Sequence, residues 1–187
     1  MELSGSLTTQ STRKPERKRI RLPLGEYRIS GASFFVTICC NQKKPRLLPL
    51  ARRELVRRVL VQLALQQRVE LASYTVIPTH VHFIASGGTR GLIGFVRDFK
   101  SATTRLLRQG GLSGLVRQRS FFDHKLRSAE SLGRKCRYIW MNPVRLGLVE
   151  KPEEYRWSGA FLDGRHYTYG RANRSPSSTK ENRDGKS

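Results

Sequence analysis

Two runs of strand-forming residues stand only two positions apart, and this spacing limits the fold more than any other feature of the sequence. Residues 71–77 and 80–86 are rich in β-branched, aromatic and aliphatic side chains, and Pro78 and Thr79 alone separate them. A connection this short predicts two adjacent strands joined by a tight turn. The rest of the fold must therefore be arranged around this hairpin.

The second of these runs begins with two histidines, His80 and His82, on either side of Val81. Side chains along a strand alternate between two faces, so both imidazoles should lie on one face. Two adjacent imidazoles supply half of a metal site, and the remaining ligands must come from elsewhere in the chain. The alternative interpretation is that the pair consists of ordinary polar residues on a half-exposed strand.

Elements on both sides of the hairpin predict the order β-α-β-β-α-β. Strands are expected at residues 33–40 and 118–126, and amphipathic helices at residues 52–68 and 92–108. The first helix is expected to keep its arginines outside. The second is expected to bury Leu92, Phe95, Val96, Phe99 and Leu106. This order is the split βαβ arrangement of an α+β domain.

A last helix is predicted from about Ser128 to about Asn142, because Pro143 cannot continue it. Tyr138 and Asn142 are four residues apart in this helix and can share a face. The helical conformation is, however, unfavourable for Asn142, because it precedes a proline. Tyr138 is either a packed aromatic or a nucleophile whose reaction a nearby metal would assist. Asn142 could supply an amide oxygen to that metal.

The charge of the chain predicts a polyanionic partner. Lys and Arg total 36 against 14 Asp and Glu, for a formal net charge of +22. A membrane surface is the competing polyanion, but no apolar run could span a bilayer and no signal-peptide pattern is present. We therefore expect no membrane partner and a cytoplasmic, nucleoid-associated protein. Monomer and homodimer both remain open.

Basic residues are concentrated in two places. Residues 1–30 are predicted to form a flexible basic arm, residues 31–162 the folded catalytic domain, and residues 163–187 a disordered polar tail. The second helix carries a polar stripe opposite its apolar face, which is either a solvated face or a phosphate-binding one. The residues expected to contact nucleic acid are Arg13, Lys14, Arg17, Lys18, Arg19 and Arg21 in the arm, and Arg97, Lys100, Ser101, Thr104 and Arg108 in the helix.

Two motifs in this order resemble those of the REP-associated tyrosine transposases, which are IS200-like, single-tyrosine HUH transposases. Residues 77–83, Ile-Pro-Thr-His-Val-His-Phe, resemble the HUH motif of two histidines around a hydrophobic residue. Residues 137–149, followed by Tyr-Arg-Trp-Ser at 155–158, are similar to the tyrosine-bearing segment. Residues 19–23, 35–39 and 99–101 fit the same family. Thr79 departs from the family, in which Asn commonly precedes the first histidine.

The resemblance implies a ferredoxin-like sheet that carries the two histidines, with the tyrosine helix packed nearby. It also implies Mg²⁺ or Mn²⁺ bound by His80 and His82, with Asn142 at the position of an amide ligand. Tyr138 would attack single-stranded DNA at the foot of a REP hairpin, giving a 5′-phosphotyrosine. The predicted function is a metal-dependent single-strand DNA endonuclease and strand-transferase. The alternatives are a hairpin DNA-binding protein of the same fold that does not cut and, more distantly, an RNA-binding protein.

Overall fold

The computed structural model describes residue 22 and residues 24–28, 31–114 and 116–167. Within these ranges six strands form one sheet: β1 (Ser33–Cys39), β2 (Val69–Val76), β3 (His80–Gly87), β4 (Phe122–Leu126), β5 (Ser158–Leu162) and β6 (Arg165–Tyr167). Three α-helices accompany them: α1 (Leu50–Gln67), α2 (Gly91–Gln109) and α3 (Ala129–Arg145). Among these described residues, no helix combines the length and the apolar character that crossing a membrane requires.

The strands lie in the order β4-β1-β3-β2-β5-β6, and each pair of neighbours is antiparallel. The first four of these positions, together with α1 and α2, make the split arrangement predicted from the order of elements, and the α+β class is confirmed. The β2–β3 hairpin therefore occupies the middle of the sheet. Residues at the start of β3 are flanked by β1 on one side and by β2 on the other.

The two faces of the sheet are covered by different helices. On one face, α1 and α2 enclose the main core, where Phe83 packs edge-to-face against Phe95 and Phe99. Burying a ring of this size stabilises the fold by about 1.5–3 kcal/mol. In α2 the buried stripe passes through Leu107, while Leu106, which was expected in the core, is only partly buried. The α1 and α2 layer thus fixes the sheet from one side.

The opposite face of the sheet is covered by α3. Its side chain Ile139 is fully buried in a smaller cluster with Phe35, Ile84 and Leu126. Because β3 alternates between the two faces, Phe83 points to the main core, and Ile84 points to α3. The face that carries His80 and His82 is consequently the one that α3 covers.

The predicted end of α3 at Asn142 is wrong, because the helix continues through Pro143 to Arg145. Proline removes one backbone hydrogen bond and crowds the carbonyl four residues earlier, which costs a helix stability. Burial of Asn142 and Pro143 against the rest of the fold offsets this cost. A capping box, in which Ser128 and Ser131 each accept from the other's backbone N–H, fixes the other end. Tyr138 and Asn142 therefore both lie in continuous helix.

The folded domain also extends beyond the predicted boundary at residue 162. Asp163 and Gly164 form a turn, and β6 follows at Arg165–Tyr167, so this part of the predicted disordered tail is a strand. The ring of His166 stacks on that of the buried Tyr74 and hydrogen-bonds to its hydroxyl, which attaches β6 to the sheet. The rest of the predicted tail, residues 168–187, lies outside the described residues. The fourth predicted strand is shorter than expected and begins at Phe122.

One arginine of α1 points inward, against the expectation that all would be outside. Arg53 is 7% exposed and donates to the hydroxyl of Tyr155 at 3.1 Å. Its guanidinium also lies 4.0 Å from the centre of the Trp157 ring. The Tyr155 hydroxyl in turn donates to the carbonyl of Val76 at 2.9 Å, at the end of β2. The Tyr-Arg-Trp-Ser motif therefore anchors the strand that leads into the histidine turn.

Candidate active site

His80 and His82 lie on the same face of β3, and their Nε2 atoms are 2.7 Å apart. In the sheet, His82 is opposite Thr37 of β1, and His80 is opposite Cys39. Adjacent nitrogen ligands of one metal ion, with bonds of about 2.1 Å, are separated by about 3 Å. The two nitrogens thus converge to nearly the spacing that a shared metal requires.

Each imidazole is oriented by a threonine on its other ring nitrogen. Thr37 Oγ1 lies 2.8 Å from His82 Nδ1, and Thr79 Oγ1 lies 2.9 Å from His80 Nδ1. Such contacts hold the orientation of each ring and direct the two Nε2 atoms towards each other. Thr79, the departure from the family pattern, therefore supports the first histidine. The sequence analysis did not predict a role for Thr37. A polar residue between Val36 and Ile38 in an otherwise apolar part of β1 could have indicated one.

Burial keeps both imidazoles neutral at pH 7. Desolvation, with a smaller effect of the Lys43 charge, lowers the pKa of His80 from 6.5 to about 4. Desolvation, followed by the charges of His80 and Lys135, lowers the pKa of His82 from 6.5 to about 3. A histidine binds metal through a neutral ring, so this environment suits a metal ligand.

Helix α3 brings Tyr138 to the histidine pair. The centre of the Tyr138 ring lies 5.6 Å from that of His82, with an interplanar angle of 70°. Phe35 packs against both, stacked on His82 at 5.3 Å and edge-on to Tyr138 at 6.0 Å. The half-buried Tyr138 is thus held at the edge of the cluster, where part of its side chain reaches solvent. The structure brings together the three residues on which the predicted chemistry depends.

Two cations that the sequence analysis did not select also lie at Tyr138. Lys135 Nζ is 5.5 Å from the centre of the tyrosine ring and 4.8 Å from that of Phe35. Arg145 Cζ is 5.2 Å from the tyrosine ring. Lys135 lies three residues before Tyr138, and Arg145 lies seven residues after it. Helical spacing, which placed Asn142 on the face of Tyr138, therefore also predicts these two residues on that face.

Asn142 lies one turn beyond Tyr138 on α3 and is 6% exposed. Its Oδ1 atom is buried and, in the described part of the chain, has no hydrogen-bond partner. A buried amide oxygen without a donor is costly, whereas a cation would satisfy it. The described residues contain no group of three or more His, Cys, Asp or Glu that could hold a metal. Imidazole nitrogens and an amide oxygen are both ligand types that divalent ions accept.

The predicted nucleic-acid contacts of α2 lie on the other face of the sheet from the histidines. Lys100, Ser101, Thr104 and Arg108 line a shallow cavity of about 570 Å³, together with Arg105 and Gln109, which were not predicted. Lys100 Nζ donates to the carbonyls of Gln118 and Arg119 at 3.0 and 2.8 Å, and Arg97 pairs with Asp98 at 3.3 Å. These two side chains thus have structural contacts. The predicted arm residues, from Arg13 to Arg21, lie outside the described residues.

Comparison with known proteins confirms the resemblance inferred from the motifs. The chain is homologous to the REP-associated tyrosine transposase of Escherichia coli (strain K12), with 24% identity over 140 residues, 72% of this chain and 82% of that protein. It is 25% identical to an uncharacterized protein of Haemophilus influenzae (strain ATCC 51907 / DSM 11121 / KW20 / Rd) across 68% of this chain and 88% of that one. No protein-family model matches the chain.

A solved structure shares the fold. It is that of a REP-associated tyrosine transposase bound to a REP hairpin, and it matches with a TM-score of 0.60 and 23% identity over 70% of this chain and 77% of that one. The six-stranded antiparallel sheet with three helices is therefore the fold of a tyrosine transposase.

Proposed function

We propose that this protein is a metal-dependent single-strand DNA endonuclease and strand-transferase that acts on REP-type hairpin DNA through a covalent 5′-phosphotyrosine intermediate. The observation that carries the proposal is the convergence of His80, His82 and Tyr138 on one face of the sheet. Two elements distant in sequence, β3 and α3, bring a pair of imidazole nitrogens and a tyrosine together there. The homologous transposase and the hairpin-bound structure support the choice of substrate.

In this proposal His80, His82 and Asn142 hold Mg²⁺ or Mn²⁺. The ion would polarise the phosphate of the DNA, so that a weak nucleophile such as a phenol could attack it. Thr37 and Thr79 keep the two imidazoles in their binding orientation. Tyr138 supplies the attacking oxygen, and Phe35 fixes its ring relative to His82. Tyr138 is only partly buried, as a residue that must meet a DNA strand needs to be.

A hairpin-binding protein that does not cut is the second candidate, and the basic surface favours it equally. The net charge of +22 and the basic cavity on α2 would serve binding with or without cleavage. Binding alone, however, does not require two neutral imidazoles with threonine partners beside a tyrosine. The arrangement at His80 and His82 therefore favours the enzyme.

The two candidates are separated by mixing the protein with end-labelled hairpin DNA and Mn²⁺ and resolving the products on a denaturing gel. The wild-type chain should give a covalent adduct and a strand with a free 3′-OH. His80→Ala and His82→Ala should each abolish both products while keeping most of the DNA affinity, and excess EDTA should have the same effect. Asn142→Ala should be milder, because water can replace a neutral amide oxygen.

His124 provides a matched control for the histidine substitutions. It lies on β4 with an exposed side chain, so His124→Ala should cut at the wild-type rate. Full cleavage by the wild type in excess EDTA would contradict metal dependence. Binding without any adduct, with either metal and any hairpin, would leave the non-cutting protein as the better account.

A further inference from the structure

Lys135, Tyr138, Asn142 and Arg145 follow one another along α3 at spacings of three, four and three residues. These spacings place the four side chains on one face of the helix. Lys135 comes from the N-terminal side of Tyr138, and Arg145 from the C-terminal side, and both cationic groups lie within 5.5 Å of the centre of the ring. The candidate nucleophile is thus flanked along the helix by two positive charges.

We propose that Lys135 and Arg145 are catalytic residues that bind the non-bridging oxygens of the scissile phosphate while Tyr138 attacks it. This inference rests on the proposed function and assigns the phosphate-binding groups of the same site. Two cations beside one nucleophile match a phosphodiester, which carries its negative charge on two non-bridging oxygens.

The charges of Lys135 and Arg145 have no acidic partner in the described part of the chain. The ion pairs there involve Arg57, Arg90, Arg97, Lys125 and Arg134 instead. The sequence contains no Asp or Glu between Glu130 and Glu150, so most of the tyrosine helix and the turn after it are free of acids. The two cations at Tyr138 thus have no acidic partner among the described residues, and in this proposal a DNA phosphate at Tyr138 pairs with them.

The reaction step is a transesterification that balances without an oxidant or reductant. The bond between Tyr138 Oη and phosphorus forms, the bond between phosphorus and O3′ breaks, and O5′ stays on phosphorus. The phenolic proton leaves to solvent, and the departing 3′ oxygen takes a proton from solvent to become a hydroxyl. Negative charge on the phosphoryl oxygens grows during attack, so fixed cations beside them stabilise the transition state more than the bound substrate.

Each cation also contributes to the structure, and the test must distinguish this contribution from a catalytic one. The Lys135 ammonium lies over Phe35, and Arg145 is in the last turn of α3, where a positive charge favours the helix dipole. A methionine at either position keeps an unbranched apolar side chain and removes the charged head group with its N–H donors. Lys135→Arg and Arg145→Lys keep the charge with a different head group.

The test is the single-turnover rate of adduct formation on saturating hairpin DNA with Mn²⁺, measured alongside DNA affinity and the thermal unfolding midpoint. Lys135→Met and Arg145→Met should each slow the adduct by about 100-fold, the lower end of the loss caused by removing one transition-state donor. DNA affinity and unfolding midpoint should change far less, and Lys135→Arg and Arg145→Lys should recover most of the rate. Arg134→Met is the matched control, since Arg134 is exposed on the same helix and pairs with Glu130 at 2.9 Å.

The outcomes distinguish this inference from the proposed function. If the wild type forms the adduct and both methionine variants form it at the same rate, the phosphate-binding assignment is wrong and the proposed function stands. If the methionine variants lose rate only in proportion to lost folding or affinity, and the charge-retaining variants do not recover it, the roles are structural. A wild type that forms no adduct would overturn the proposed function, and this inference with it.

Discussion

Thr37 Oγ1 lies 2.8 Å from His82 Nδ1, and this contact joins β1 to the site across the middle of the sheet. It exists because the antiparallel register sets Thr37 directly opposite His82. The hydroxyl thereby fixes which nitrogen of His82 faces His80. The orientation of a candidate metal ligand is thus built into the pairing of two central strands.

Thr37→Val should weaken Mn²⁺ binding by about 10-fold, since valine keeps the shape of threonine but removes the partner of the ligand ring. The free energy of unfolding should fall by only about 1 kcal/mol. Thr103→Val is the control, because the buried Thr103 hydroxyl donates to the Phe99 carbonyl within α2, on the other face. Calorimetric Mn²⁺ titration of the three proteins measures the effect. Equal affinity in all three would contradict an orienting role for Thr37.

Stability should decrease as the pH is lowered from about 6.5 towards 4, in the absence of metal. The pKa of His80 is lowered to about 4 and that of His82 to about 3, so both stay mostly neutral in the folded chain at pH 5. Unfolded histidines take up protons near pH 6.5, and a state that binds more protons is favoured as pH falls. Urea unfolding at pH 7 and pH 5, in EDTA, should show a lower free energy of unfolding at pH 5.

The double variant His80→Gln/His82→Gln should lose less stability between these two pH values. Part of the loss should remain, because burial also lowers the pKa of His166. The same loss in wild type and double variant would contradict the neutral state of the pair.

DNA affinity should depend strongly on salt concentration, because each phosphate contact releases condensed counterions from the nucleic acid. On single strands each contact contributes about 0.7 to the slope of log affinity against log salt. Removing residues 1–21 should flatten this slope, since that segment holds the basic arm residues. Fluorescence anisotropy with hairpin DNA at several salt concentrations measures it. An unchanged slope and affinity would show that the arm does not contact DNA.

Local periodicity was enough to predict the central hairpin, the shared face of His80 and His82, and the helix that carries Tyr138. Each depends on spacing within one element, which the side-chain period of a strand or helix dictates. The contact of Thr37 with His82 depends instead on strand register between residues 45 positions apart, which no local pattern encodes. The flanking positions of Lys135 and Arg145 were predictable from helical spacing.

Strands β5 and β6 were not predicted because their residues carry little strand signal. The first begins Ser158-Gly159-Ala160, and small residues there allow close packing that sequence periodicity does not report. A Cβ at Gly159 would collide with the carbonyl oxygen of Tyr167 on β6 and with the Tyr74 hydroxyl. The continuation of α3 through Pro143 was missed for a related reason, since tertiary burial outweighed the local preference against proline.

The proposed cleavage uses the Tyr138 hydroxyl as its nucleophile, whereas hairpin binding alone does not need that oxygen. Tyr138→Phe removes only that oxygen, so the ring can keep its contacts with Phe35 and His82, and the loss of stability should be about 0.5–1.5 kcal/mol at most. Tyr167→Phe, which removes a hydroxyl from a partly exposed ring on the edge strand β6, is the control.

The most direct measurement is the amount of covalent protein–DNA adduct on a denaturing gel after incubation with labelled hairpin DNA and Mn²⁺. Wild type and Tyr167→Phe should form the adduct equally, whereas Tyr138→Phe should bind the hairpin with unchanged affinity and form no adduct. An adduct from Tyr138→Phe at the wild-type rate would contradict the assignment of Tyr138 as the nucleophile.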